Sequence, residues 1–171
     1  MQGGMLSVVA HALLLHMPWP VPVHGTPPTV NGTISEAART VDQPLNPVRV
    51  LSAPEVREIY RRTAGALPPV GLNAFRIQGD RNIYVNAESQ VYRQAAREPT
   101  AFHVLRLAAT LLHEQVHETD GEYAARRIQA DFVRRRLNAL PSSQRRSAHR
   151  YWRTLEVRAV SLARIERRDD H

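Results

Sequence analysis

Proline placement constrains this chain more than any other sequence feature. Pro18, Pro20, Pro22, Pro27, Pro28, Pro44 and Pro47 all fall between residues 18 and 50. Each removes a backbone donor and breaks a helix interior. Residues 26–50 are therefore expected to be a proline-rich linker or extended arm. Folding is expected to begin near Val48, with residues 51–171 forming the folded domain. A chain of 171 residues has room for one such domain. Its hydrophobic fraction of 43% supports a packed core over disorder.

Ahead of the prolines, Met5 to Met17 form an apolar run of signal-peptide length, too short to span a bilayer. Residues 1–25 thus read as a signal peptide or an apolar N-terminal segment, with Val23-His24-Gly25 as a small-residue cleavage site. The signal is atypical, because no Lys or Arg precedes the run and His11 and His16 interrupt it. Export to a secreted or periplasmic location and retention in the cytoplasm both stay open.

Beyond Val48, local patterns predict helices around one small sheet, an α+β domain. Ser52 caps a helix to about Leu67, which Pro68, Pro69 and Gly71 stop. Residues 74–77 and 82–85 are short β-prone runs around the Gly79-Asp80 turn, a hairpin signal. Residues 87–97 follow as a short helix capped by Asn86. Pro99 opens a long helix to about Glu118, broken by Thr119-Asp120-Gly121. A helix from Glu122 to about Leu140 and a last one from Ser142 or Ser143 to about Arg167 complete the chain.

On the long helix, His113-Glu114-Gln115-Val116-His117 matches H-E-x-x-H. A spacing of four places both imidazoles on one helical face, from which two nitrogens can share one tetrahedral Zn²⁺. Glu114, one residue further round, reaches a metal-bound water without ligating the metal. It is the expected general base toward a carbonyl. Upstream, Phe102, Leu105, Leu107, Ala108, Leu111 and Leu112 supply an apolar surface that turns this helix inward.

The stretch from about Gly71 to Leu137 resembles a zincin-type metallopeptidase core. The residues carrying the resemblance are GDRNIYVN as edge strand, LAATLLHEQVH as active-site helix and GEYAARRIQADF as the following helix. The Glu-x-x-Ala at Glu122 and Ala125 is similar to the glutamate-bearing helix of gluzincins. The resemblance implies a zinc peptidase that binds an extended peptide or protein substrate along the edge strand Ile83-Tyr84-Val85. Glu122 would then be the third ligand. The spacing departs from the common gluzincin pattern, since Glu122 follows His117 by only five residues. The metzincin pattern is absent, because Asp120 and Tyr123 stand where its Gly and His would be.

Had one helix continued through Glu122, that residue would point about 140° away from His117. It can ligate only if Gly121 turns the chain back. In the other reading of the same residues, Thr119-x-x-Glu122 is a capping box. Asp120 and Asp131 are the alternatives for third ligand, and Asp131 is also readable as a hydrogen-bond support for a ligand histidine or as a surface charge. Glu118, His103, His149 and Glu156 are expected to lie outside the centre. Among Tyr84, Tyr92 and Tyr123, the last is the first choice as an oxyanion donor, because it neighbours the presumed metal site.

The absence of cysteine excludes disulfides, thiolate ligands and a cysteine nucleophile. The net charge of +7 carries no lysine contribution, every basic side chain being arginine. Such a bias fits a solvated basic surface, and nucleic acid is not the expected partner. Two alternatives to an active, monomeric zinc peptidase remain: a zinc-binding interaction module without turnover, and a basic helical domain. The second would bind nucleic acid through Arg126, Arg127, Arg134, Arg135 and Arg136.

Overall fold

A computed structural model describes residues 32–169, apart from the side chains of residues 118, 119 and 164–169. The expected signal segment and the first residues of the linker lie outside this range. The chain is mostly helical, with one small sheet, and is of the α+β class. In order the elements are α1 (Gly32–Thr40), β1 (Val48–Leu51), α2 (Ala53–Ala64), β2 (Ala74–Arg76), β3 (Ile83–Asn86), α3 (Gln90–Arg97), α4 (Ala101–Arg136) and α5 (Ser142–Asp169). A 3₁₀ turn at Leu137–Ala139 separates the last two. No described helix is long and apolar enough to cross a membrane.

The described part of the expected linker, residues 32–50, is part of the fold. Helix α1 buries Ile34 and Ala37, and Val41 follows them into the main core. Arg136, at the end of α4, donates to the Thr40 carbonyl at 2.9 Å and to Asp42 at 2.6 Å, which ties α1 down. Strand β1 then pairs parallel with β3. Pro47 does not prevent this, because proline lacks a donor but keeps its carbonyl, which accepts from Ile83 N–H at 2.9 Å. Among the described residues, the fold therefore includes α1 from residue 32 and is not confined to residues from Val48 onward.

The sheet order is β1-β3-β2, with β2 and β3 antiparallel. This corrects the expectation that Ile83-Tyr84-Val85 is an edge strand. Strand β3 is central, and all three residues are buried. A strand covered on both faces reads as a continuous apolar run, as Ile-Tyr-Val does. Its alternation splits two cores. Ile83 and Val85 face α4, while Tyr84 joins Leu51, Val56 and Phe75 under α2. Strand β2 follows the same rule, with Ala74 in the first core and Phe75 in the second.

Short helices start where side chains satisfy their free N–H groups. Ser52 and Glu55 form a capping box on α2, which also carries Pro54 in its first turn. Ser89, not the expected Asn86, caps α3 by accepting from Tyr92 N–H. Thr100 caps α4 by accepting from His103 N–H. Helix α4 is the backbone of the domain. Its first half buries Leu105, Leu107, Ala108, Leu111 and Leu112 against the sheet side, and its second half buries Phe132 and Val133. Helix α5 packs along it through Ala148, Leu155 and Ala159.

Candidate metal centre

Helix α4 carries His113 and His117 one turn apart, with ring centroids 5.6 Å from each other. At Gly121 the backbone leaves helical geometry, with φ 78° and ψ 176°. This combination is open to glycine and strained for any L side chain. The break reverses the 140° rotation that a continuous helix would impose. Glu122 returns to the histidine face, with Oε2 2.9 Å from His117 Nε2 and 3.4 Å from His113 Nε2. Its other oxygen, Oε1, accepts from Arg126 Nε at 2.7 Å. One carboxylate oxygen thus serves the imidazoles while the other is anchored.

The three ligand atoms lie within 4.8 Å of one another. Tetrahedral Zn²⁺ with bonds near 2.1 Å holds its ligands about 3.4 Å apart, so this donor set fits such an ion. Two imidazoles and one carboxylate are also the chemistry zinc accepts, with a fourth position left for water or substrate. His113 is buried, and its Nδ1 has no hydrogen-bond partner among the described residues. Binding through Nε2 places the imidazole proton on this Nδ1. His117 is about half exposed, and it faces the cleft from the solvent side.

Electrostatics follow from the arrangement. Partial burial pushes the Glu122 carboxyl up, but hydrogen bonds from His113 and His117 and the charge of Arg126 outweigh it. The carboxyl is held well below the usual carboxylate range. The hydrogen bond to Glu122 raises the His117 imidazole above its ordinary value, against the effect of burial. Glu114 moves the other way from Glu122. Its burial pushes the carboxyl up, with His113 and His117 pulling against it.

All four residues line one cleft of about 1080 Å³. One wall is the segment from Pro69 through β2 to Gln78, and the other is formed by α4 and α5. Strand β2 has a ladder neighbour on one side only among the described residues. Asn86 N–H bonds to the Asn73 carbonyl at 2.9 Å. Antiparallel alternation therefore turns the Ala74 N–H and C=O away from β3, toward the open edge.

The remaining candidates are not brought to the centre. Tyr123 lines a separate groove with Arg127, Asp131 and Glu156, and the Arg127 guanidinium lies over its ring. Once Glu122 faces the histidines, the next residue is turned about 100° away. Asp120 is exposed and outside the triad, and Asp131 pairs with Arg134 at 3.2 Å. His103 closes the start of α4 through its Nδ1 and the Glu98 carbonyl, and His149 meets the Trp152 ring edge-on. Tyr84 donates its hydroxyl to Asp80, and Tyr92 is a core residue. The readings of Glu118 as solvated and Thr119 as a cap concern side chains outside the described ones.

Two tyrosines that sequence reasoning passed over line the cleft instead, Tyr60 from α2 and Tyr151 from α5. Burial, with the Glu114 charge adding to it, raises the Tyr60 hydroxyl. Burial also raises Tyr151, against the opposing charges of Arg106 and Arg126, and Gln129 donates to its hydroxyl at 3.3 Å. Three of the arginines expected in a basic stripe are engaged within the fold. Arg126 holds Glu122, Arg134 pairs with Asp131, and Arg136 binds Asp42 while stacking on Phe132.

Comparison with known proteins gives no match to a family model, to a curated protein or to a solved structure. The functional reading rests on the residues alone.

Proposed function

We propose that the protein is a zinc-dependent peptidase of zincin-like design, with His113, His117 and Glu122 as metal ligands. The observation carrying this reading is the return of Glu122 to the histidine face by the break at Gly121. A capping or solvated glutamate has no need of a glycine-only conformation that aims it at two imidazoles. Zinc, when bound, acidifies a water molecule and polarises a carbonyl group.

The chain's own residues supply the rest. Glu114 takes a proton from the attacking water and passes it to the leaving amine. Its raised carboxyl suits both tasks, because a proton is more easily held there than on an ordinary glutamate. Arg126 keeps Glu122 ionised and fixed. Tyr60 and Tyr151 are the phenols on the cleft side and take the oxyanion-donor role first assigned to Tyr123. The open edge of β2 takes the place of Ile83-Tyr84-Val85 as the backbone template for an extended peptide.

The test is elemental mass spectrometry of the full chain without a histidine tag, beside His113→Ala and Glu114→Gln. One zinc per chain, lost in His113→Ala, is expected. Glu114→Gln is expected to keep its zinc and lose peptide hydrolysis. No zinc after supplementation, or undiminished hydrolysis by Glu114→Gln, refutes the proposal.

A further inference from the structure

The cleft is chemically lopsided. Arg76, Arg106, Arg126 and Arg158 line it, against two carboxylates, Glu114 and Glu122, both of which belong to the centre itself. Four surface arginines outside the cleft find acids nearby. Arg61 and Arg62 share Glu58, Arg93 meets Glu88, and Arg134 meets Asp131. On the α4–α5 wall, Arg106, Arg126 and Arg158 stand beside one described carboxylate that pairs with any of them, Glu122, which is held by Arg126. Arg106 lies over the Tyr151 ring, and Arg126 and Arg158 line the same cleft as that tyrosine.

The three differ in how far they are already engaged. Arg106 donates to Gln94 and lies over the rings of Phe102 and Tyr151. Arg126 divides its donors between Glu122 and Gln129. Arg158 is exposed, and no described carboxylate forms an ion pair with it. It sits one turn beyond Thr154 on the face of α5 that forms the cleft wall. A guanidinium in this position presents a planar fork suited to a carboxylate.

We propose that Arg158 forms a subsite for a peptide carboxylate, so that the cleft selects acidic segments. The proposal rests on the cleft being the peptide-binding site argued above. Two sources share this chemistry, an Asp or Glu side chain and a free C-terminus.

The test measures binding on the full chain stripped of metal, so that it does not depend on zinc or turnover. Calorimetry compares two matched pairs of N-acetylated heptapeptides. One pair differs by internal Glu against Gln, both as C-terminal amides. The other differs by C-terminal acid against amide. The acidic member of one pair is expected to bind about tenfold tighter than its neutral twin, and the pair that discriminates identifies the source. Arg158→Gln is expected to reduce the discrimination to within about twofold, and Arg158→Lys to restore part of it. Arg146→Gln removes the same charge from an exposed arginine outside the cleft and is expected to keep the discrimination. Equal affinities within both pairs, or equal losses in Arg158→Gln and Arg146→Gln, overturn the subsite. Failure of the zinc reading shows separately, in the metal content.

Discussion

Gly121→Ala isolates the turn on which the proposed metal centre depends. At φ 78° and ψ 176° an L-alanine is strained by about 1–3 kcal/mol. A Cβ there would meet nothing within 4 Å, so the penalty belongs to the backbone and not to a clash. The metal-free chain can escape by letting α4 run straight through residue 121. That relaxation turns Glu122 about 140° from His117 and leaves two ligands. Zinc binding then has to restore the strained turn, and its affinity should fall by about 5- to 150-fold. Competition with a chromophoric chelator reads this directly. The melting temperature of the metal-free protein should move far less, because the straightened helix releases the strain. Gly65→Ala is the control. It also alters a positive-φ glycine, at φ 63° and ψ 16°, but at the end of α2. It should cost about 1 kcal/mol of stability with no change in zinc affinity. Wild-type zinc affinity in Gly121→Ala would refute the argument that this glycine builds the third ligand.

Arg126→Gln removes the anchor on Glu122 Oε1 while leaving all three ligands in place. Zinc affinity is expected to drop about 10- to 100-fold with one ion still bound at saturation, and loss of stoichiometric binding would count against a supporting role. The metal-free protein should show a pH dependence set by His117, whose folded pKa is raised above 6.5 by Glu122. Its contribution is fully present below pH 6.5 and is lost as pH rises through the folded value. Stability measured by urea unfolding should therefore fall from pH 6 to pH 8, and the slope should flatten in His117→Gln. Glu122 acts oppositely and at lower pH: its depressed carboxyl contributes above its ordinary value of 4.5 and is lost as pH falls further. Ala37→Asp places a carboxylate at a fully buried position on α1. It should destabilise the chain by about 3 kcal/mol or more, and a change under 1 kcal/mol in the unfolding midpoint analysis would mean that α1 is dispensable.

What could be read locally was the geometry of one helix and its interruption. His113, Glu114 and His117 follow from the 3.6-residue period, and Glu122 follows from that period together with a glycine at residue 121. Tyr123 lies about 100° round from Glu122, and in the structure that turn takes it into the separate groove with Arg127 and Asp131. The same arithmetic puts Arg126 and Gln129, four and seven places beyond Glu122, on the face that supports the site. Tyr151 and Arg158 had no such signal. They reach the cleft because α5 folds back along α4, and a helix's own periodicity names its buried face without naming what lies opposite.

The sheet order is hidden in the sequence for a related reason. Pro44 and Pro47 dominate the reading of residues 44–51, yet β1 begins one residue after Pro47 and uses its carbonyl. With β1 unseen, β3 had only β2 beside it, and the open edge was assigned to the wrong strand. The consequence reaches the chemistry. A central β3 leaves its N–H and C=O groups committed to β1 and β2, whereas β2 keeps one side open and lines the cleft. The strand that can template an extended peptide is therefore the three-residue Ala74–Arg76. So short an edge offers few backbone hydrogen bonds. On the proposed peptidase reading, selection among substrates then comes from side-chain contacts on the opposite wall, where the arginines of α4 and α5 stand.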